Sequence, residues 1–135
     1  MLHRRSLLAL SVSAALAASA LAIAPSARAA EPAPFSAAAF TAAKAKGGPI
    51  LVEVTAPWCP TCRAQKPILS ELRAMPKFKD MTVLTVDFDS QKDALRALDA
   101  RTQSTLIVFK GDREVGRSVG VTERGAIEAL LAKSL

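Results

Sequence analysis

Residues 50 to 62 read Ile50-Leu51-Val52-Glu53-Val54-Thr55-Ala56-Pro57-Trp58-Cys59-Pro60-Thr61-Cys62. The first six are short in extent and rich in β-branched side chains, which is the pattern of a strand. They run without a linker into the two cysteines. From Pro60 to about Met75 the apolar positions Ile68, Leu69, Leu72 and Met75 recur at helical spacing, so the thiols lie where a strand hands over to a helix. Pro67 falls inside that helix, where a missing amide and a crowded preceding turn are expected to kink it.

Two thiols three residues apart at a helix start have a definite chemistry. Unpaired amides and the positive end of the helix dipole stabilise a thiolate there. Cys59 is therefore expected to attack. Cys62, one turn further in and expected to be the more buried, would resolve the mixed disulfide. As a purely structural bridge so short a loop removes little entropy from the unfolded chain. A metal site would need more ligands than two cysteines, and the one histidine, His3, stands near the start of the chain.

Outward from the motif, the remaining elements follow from local signals. Ser36 caps a helix over 37–46, which Gly47-Gly48-Pro49 ends. Residues before it, with Pro32 and Pro34, read as an extended lead-in with little structure. Met81 to Phe88 alternates as a second strand, and Asp89 or Ser90 caps a helix over 91–100. Thr105 to Phe109 forms a third strand. Lys110-Gly111-Asp112-Arg113 turns the chain, Glu114 to Val119 returns antiparallel, and Thr122 caps a last helix that buries Ile127, Leu130 and Leu131. This α-β-α-β-α-β-β-α order predicts an α/β fold, a mixed sheet with helices on both faces. Met75 and Met81 read as core residues.

The 135 residues suffice for one domain. Met1 to Arg5 is basic, Leu7 to Ala24 carries no charge, and Ala27-Arg28-Ala29 supplies small residues two apart, the layout of a signal peptide cleaved near Ala29. The rival reading is a retained transmembrane anchor. Arg4-Arg5 followed by Leu7-Leu8 also resembles a twin-arginine export signal. The expected division is thus a signal over 1–29 and a single domain over 30–135. Cleavage would remove three of the 18 basic residues and none of the 12 acids, leaving a mild excess interspersed with acids. That balance argues against nucleic acid and against membrane attachment after cleavage. In an exported chain the two cysteines live where disulfides persist.

Trp58-Cys59-Pro60-Thr61-Cys62, with Pro67 five residues beyond, resembles the thioredoxin superfamily over nearly all of residues 36–135. The Cys59-Pro60-Thr61-Cys62-Arg63 variant is similar to the exported thioredoxins of cytochrome c maturation. The resemblance implies a thioredoxin-like fold with a central mixed four-stranded sheet, and a periplasmic thiol–disulfide oxidoreductase that reduces protein disulfides. It also implies a membrane thiol electron donor. No organic cofactor and no metal are expected, because the dithiol itself holds two electrons, and a monomer is expected.

By the same resemblance, Glu53, six residues before Cys59, matches a buried acidic residue that moves the proton of the second cysteine. A desolvated carboxyl has a raised pKa suited to that work. The competing reading makes Glu53 a solvent-facing residue on an edge strand. Trp58, Pro60 and Thr61 would border the substrate, with Gln103, Ser104 and Thr105 facing them. Ser104 stands where the family has a cis-proline, so a trans peptide and an altered backbone are expected there. Arg63 and Lys66 either help keep Cys59 ionised or are solvated charges. Three other functions compete: a dedicated reductant of apocytochrome c, a metal or iron–sulfur dimer held through the cysteine pair, and a noncatalytic adaptor.

Overall fold

The computed structural model describes residues 30–135, so the proposed signal over 1–29 lies outside the described residues. The elements in order are β1 (Ala33–Pro34), α1 (Ala37–Lys46), β2 (Pro49–Thr55), α2 (Pro60–Arg73), a 3₁₀ turn (Pro76–Phe78), β3 (Thr82–Asp87), α3 (Lys92–Ala97), β4 (Thr105–Lys110), β5 (Arg113–Val119) and α4 (Arg124–Ala132). The sheet order is β1-β3-β2-β4-β5. β2 runs parallel to β3 and antiparallel to β4, and β4 runs antiparallel to β5.

The sheet has five strands rather than the expected four. The lead-in contributes the fifth, with Ala33 and Pro34 lying parallel to Leu84 and Thr85. Two residues beside a proline are too short to show a strand period.

Side-chain alternation along the strands divides the core in two. Ile50, Val52 and Val54 of β2 pack with Leu84, Val86, Ile107 and Phe109, closed by Ala43 of α1 and Leu95 of α3. Leu51, Val83, Leu106 and Val108 face the other way, under Leu69 and Leu72 of α2 and Ile127, Leu130 and Leu131 of α4. Met81 is fully enclosed in this second core and Met75 packs against it, as expected. Helices therefore cover both faces. Among the described residues no helix is long and apolar enough to cross a membrane.

Helix ends follow local chemistry, with two corrections. Ser36 caps α1 through its side chain, and Gly47 ends it at φ 74°, a left-handed conformation that glycine adopts without penalty. α4 is capped by Glu123, not Thr122: its two carboxylate oxygens accept from the amides of Gly125 and Ala126. The longer acid reaches both donors at once. α3 is shorter than expected and has Gln91 at its cap, without a side-chain capping bond. Asp87 instead accepts from the amide and hydroxyl of Ser90, and Gln91 accepts from the Asp87 amide while donating to the Phe35 carbonyl. Those side chains tighten the loop ahead of the helix rather than its first turn. α2 continues through Pro67, whose ring lies on the exposed side.

Candidate active site

β2 is the middle strand, so its carboxyl end delivers Ala56 to Cys59 to the centre of one edge of the molecule. Cys59 is the N-cap of α2 and Pro60 occupies its first turn, where a missing amide costs nothing. The two cysteines are joined as a disulfide with Cα atoms 5.3 Å apart. The backbone amide of Cys62 donates to Cys59 Sγ at 3.1 Å. A helix-start amide thus already points at the first sulfur and not at the second, which is the asymmetry that favours negative charge on Cys59.

Burial differs from expectation. Cys59 is 1% exposed and Cys62 8%, so the second cysteine is not the more enclosed one. Cys59 folds back over its own helix end, within a cluster that includes Ala56 and the partly buried Phe88. Cys62 instead borders a cavity of about 260 Å³ shared with Glu53, Gln65, Lys66 and Arg73.

Glu53 is not on an edge strand. It lies in the central strand between Thr85 and Leu106, on the sheet face that α2 covers. Its carboxylate accepts from Arg73 Nη1 at 2.7 Å, and both side chains are largely shielded from water. Burial pushes the Glu53 carboxyl above the ordinary glutamate value, while the guanidinium of Arg73 and the ammonium of Lys66 pull the other way. The result is a carboxyl sharing a cavity with the second cysteine and held nearer neutrality than a surface glutamate.

Trp58 is half exposed beside the disulfide. Its indole Nε1 donates to Asp89 at 2.9 Å and its ring stands edge-on to Phe88, which fixes the exposed face. Pro60 is exposed and Thr61 half-buried. Thr105 pairs with Val54 and with Val119, so the loop before β4 reaches the same end of the sheet as the cysteines. Gln103 is half-buried there, while Ser104 and Thr105 are buried. Their hydroxyls donate inward, to the carbonyls of Gln103 and Thr102. No peptide bond among the described residues is cis, and Ser104 has φ 55°, a left-handed backbone that a serine rarely takes. Arg63 is exposed, and Lys66 lines the Glu53 cavity.

Sequence reasoning missed Arg73, Gln65 and Asp89. The first two had a signal: Cys62, Gln65, Leu69, Leu72 and Arg73 form one buried helical stripe, in which two polar residues stand among apolar ones. Asp89 lies 31 residues from Trp58 and had none.

A cysteine pair at a strand-to-helix junction, the first sulfur receiving a helix amide and the second cysteine bordering the cavity of a buried carboxyl, defines a protein of thiol–disulfide exchange. The thioredoxin family model matches residues 31–133, and the chain belongs to that family. A thioredoxin of Chlamydia trachomatis is 34% identical over 86 residues, 64% of this chain and 82% of the relative. An H-type thioredoxin of Brassica campestris is 34% identical over 92 residues, 68% of this chain and 72% of the relative. Among solved structures, Trxlp from Edwardsiella tarda superposes with a TM-score of 0.73 at 44% identity, covering 75% of this chain and 98% of that one. The protein is a thioredoxin-type disulfide oxidoreductase.

Proposed function

We propose that the chain is an exported, periplasmic reductant of protein disulfides in which Cys59 attacks, Cys62 resolves and Glu53 carries the proton. The observation that carries this reading is the amide of Cys62 donating to Cys59 Sγ. In the reduced protein the Cys59 thiolate attacks one sulfur of a client disulfide. The client S–S bond breaks, a mixed disulfide forms, and the other client sulfur leaves as a thiolate that takes a proton from water. Cys62 then gives its proton to the Glu53 carboxylate and attacks Cys59 Sγ. The Cys59–Cys62 disulfide forms, the second client sulfur departs, and two electrons have passed to the client. A membrane thiol donor restores the dithiol. Trp58, Pro60 and Thr61 on one side and the loop of Gln103, Ser104 and Thr105 on the other border the docked client.

The narrower client is apocytochrome c, supported by the Cys59-Pro60-Thr61-Cys62-Arg63 sequence. Export is supported by the charge and apolar pattern of residues 1–29.

The test is the reduction potential of the cysteine pair in thiol buffers, with trapping by single variants. A value near about −270 mV, the thioredoxin end of the range, fits a reductant, and one near about −120 mV reverses the direction. Cys62→Ser is expected to accumulate a mixed disulfide through Cys59. Accumulation by Cys59→Ser instead would exchange the two roles. Fractionation of cells expressing the full chain checks export, with a mature chain starting at Ala30 as the expected product.

A further inference from the structure

Gln65 is 3% exposed and sits one turn past Cys62, in the stripe that α2 buries. A primary amide there is costly unless its two N–H groups find acceptors. Both do: Nε2 donates to the Val121 carbonyl at 2.8 Å and to the Ser104 carbonyl at 3.3 Å. Those carbonyls belong to two different loops, one before β4 and one after β5. The loops are also tied to each other, since the amide of Gly120 donates to the same Ser104 carbonyl at 3.0 Å.

Ser104 is an L-residue in left-handed backbone, a conformation that costs about 1–2 kcal/mol and lasts only where its surroundings enforce it. Three sets of contacts enforce it. The Ser104 hydroxyl and the Thr105 hydroxyl bond within the loop, Gly120 bonds across from β5, and Gln65 bonds from the helix that carries the cysteines. Only the last connects the loops to the redox motif. Because Thr105 pairs with Val54 and with Val119, both loops leave the sheet at the end where Cys59 emerges. Val119 and Trp58 leave apolar surface at that end.

We infer that Gln65 is a positioning residue: its amide holds the Ser104 and Val121 loops against the redox helix, and so governs how a polypeptide disulfide docks without altering the exchange between sulfurs. The inference rests on the proposed reading of this site as a reductant of protein disulfides. A small disulfide meets only the sulfurs, whereas a protein client must also fit between the loops. Loss of the amide therefore separates the two substrates.

The experiment compares Gln65→Met, which keeps the volume and loses the donors, with the parent protein. Both are assayed on insulin and on dithiobis(nitrobenzoate), and the reduction potential of each is measured. Gln65→Met is expected to raise the KM for insulin about fivefold, the worth of roughly one net hydrogen bond. The rate on the small disulfide stays within about twofold and the potential does not move. Gln65→Leu, which likewise removes the donors, is expected to raise the insulin KM in the same way, and serves if Gln65→Met fails to fold. In the Ser104→Gly background the added effect of Gln65→Met shrinks, because both act through one loop. Equal losses on both substrates, an unchanged insulin KM on loss of the Gln65 amide, or full additivity would overturn the inference. A parent protein that reduces neither substrate would overturn the proposed function instead.

Discussion

Arg73 donates to the Glu53 carboxylate at 2.7 Å inside the cavity that Cys62 borders. The pair joins the middle of the central strand to the last turn of the redox helix. Burial of Glu53 favours its neutral form, and the guanidinium favours the carboxylate that could accept a proton from Cys62. In the proposed proton relay, Arg73 would thereby keep a base available to the second thiol.

Glu53→Gln removes that base. Turnover on insulin at neutral pH is expected to fall about 10²-fold or somewhat less, the low end for loss of a general base. In the parent the rate declines as pH drops through a carboxyl pKa above the ordinary 4.5, and in the variant that limb is absent. Steady-state rates across the range pH 4 to 8 check both points.

The stability consequence has the opposite direction. Because the folded pKa of Glu53 is raised, its contribution to stability is fully present below the unfolded value and is lost as pH rises through the folded one. Urea titrations are expected to show a shallower decline between acid and neutral pH in Glu53→Gln than in the parent. An unchanged slope would mean the carboxyl titrates alike in both states.

Replacing Arg73 by Met removes the cation that opposes burial. The acid limb of the activity profile is expected to move upward, and Arg73→Lys to reverse that movement in part. A lower rate with an unmoved limb would show packing alone.

Ser104 offers a backbone test. Glycine adopts φ 55° freely, so relief of strain offsets the greater freedom of its unfolded chain, and Ser104→Gly is expected to unfold within about 1 kcal/mol of the parent. Proline holds φ near about −65°, so Ser104→Pro must abandon the left-handed backbone and the contacts of its carbonyl. A loss of about 2 kcal/mol or more in urea unfolding is expected.

Ile127 is fully enclosed between α4 and the sheet. Ile127→Ala is expected to cost about 2–5 kcal/mol in unfolding free energy while leaving the reduction potential of the cysteines unchanged, since the cavity forms away from them.

Much of this organisation was legible because it rests on short-range rules. The β-branched run into Ala56-Pro57-Trp58-Cys59 and the Gly47-Gly48-Pro49 stop each act over a few residues. The features that escaped depend on what meets across the fold. Glu123 displaced Thr122 because two amides lay within reach of a longer side chain, and β1 formed because the edge of β3 was open to it. The relative burial of the cysteines follows from how Ala56 and Phe88 close over Cys59. Gln65 and Arg73 escaped because an apolar pattern counts polar residues as gaps, although here those gaps are filled by ligands for Ser104, Val121 and Glu53.

Within residues 30–135 the two margins of the sheet are finished differently. One closes with the two residues of β1, where Pro34 has no amide to offer and Pro32 lies just before it. The other, β5, carries Arg113, Glu114 and Arg117 and is shifted in register by an irregularity between Val108 and Phe109. Short length, proline, charge and a broken ladder all make poor templates for a strand from another molecule. A protein that exchanges disulfides with other polypeptides thus meets them with margins that give their strands little to extend.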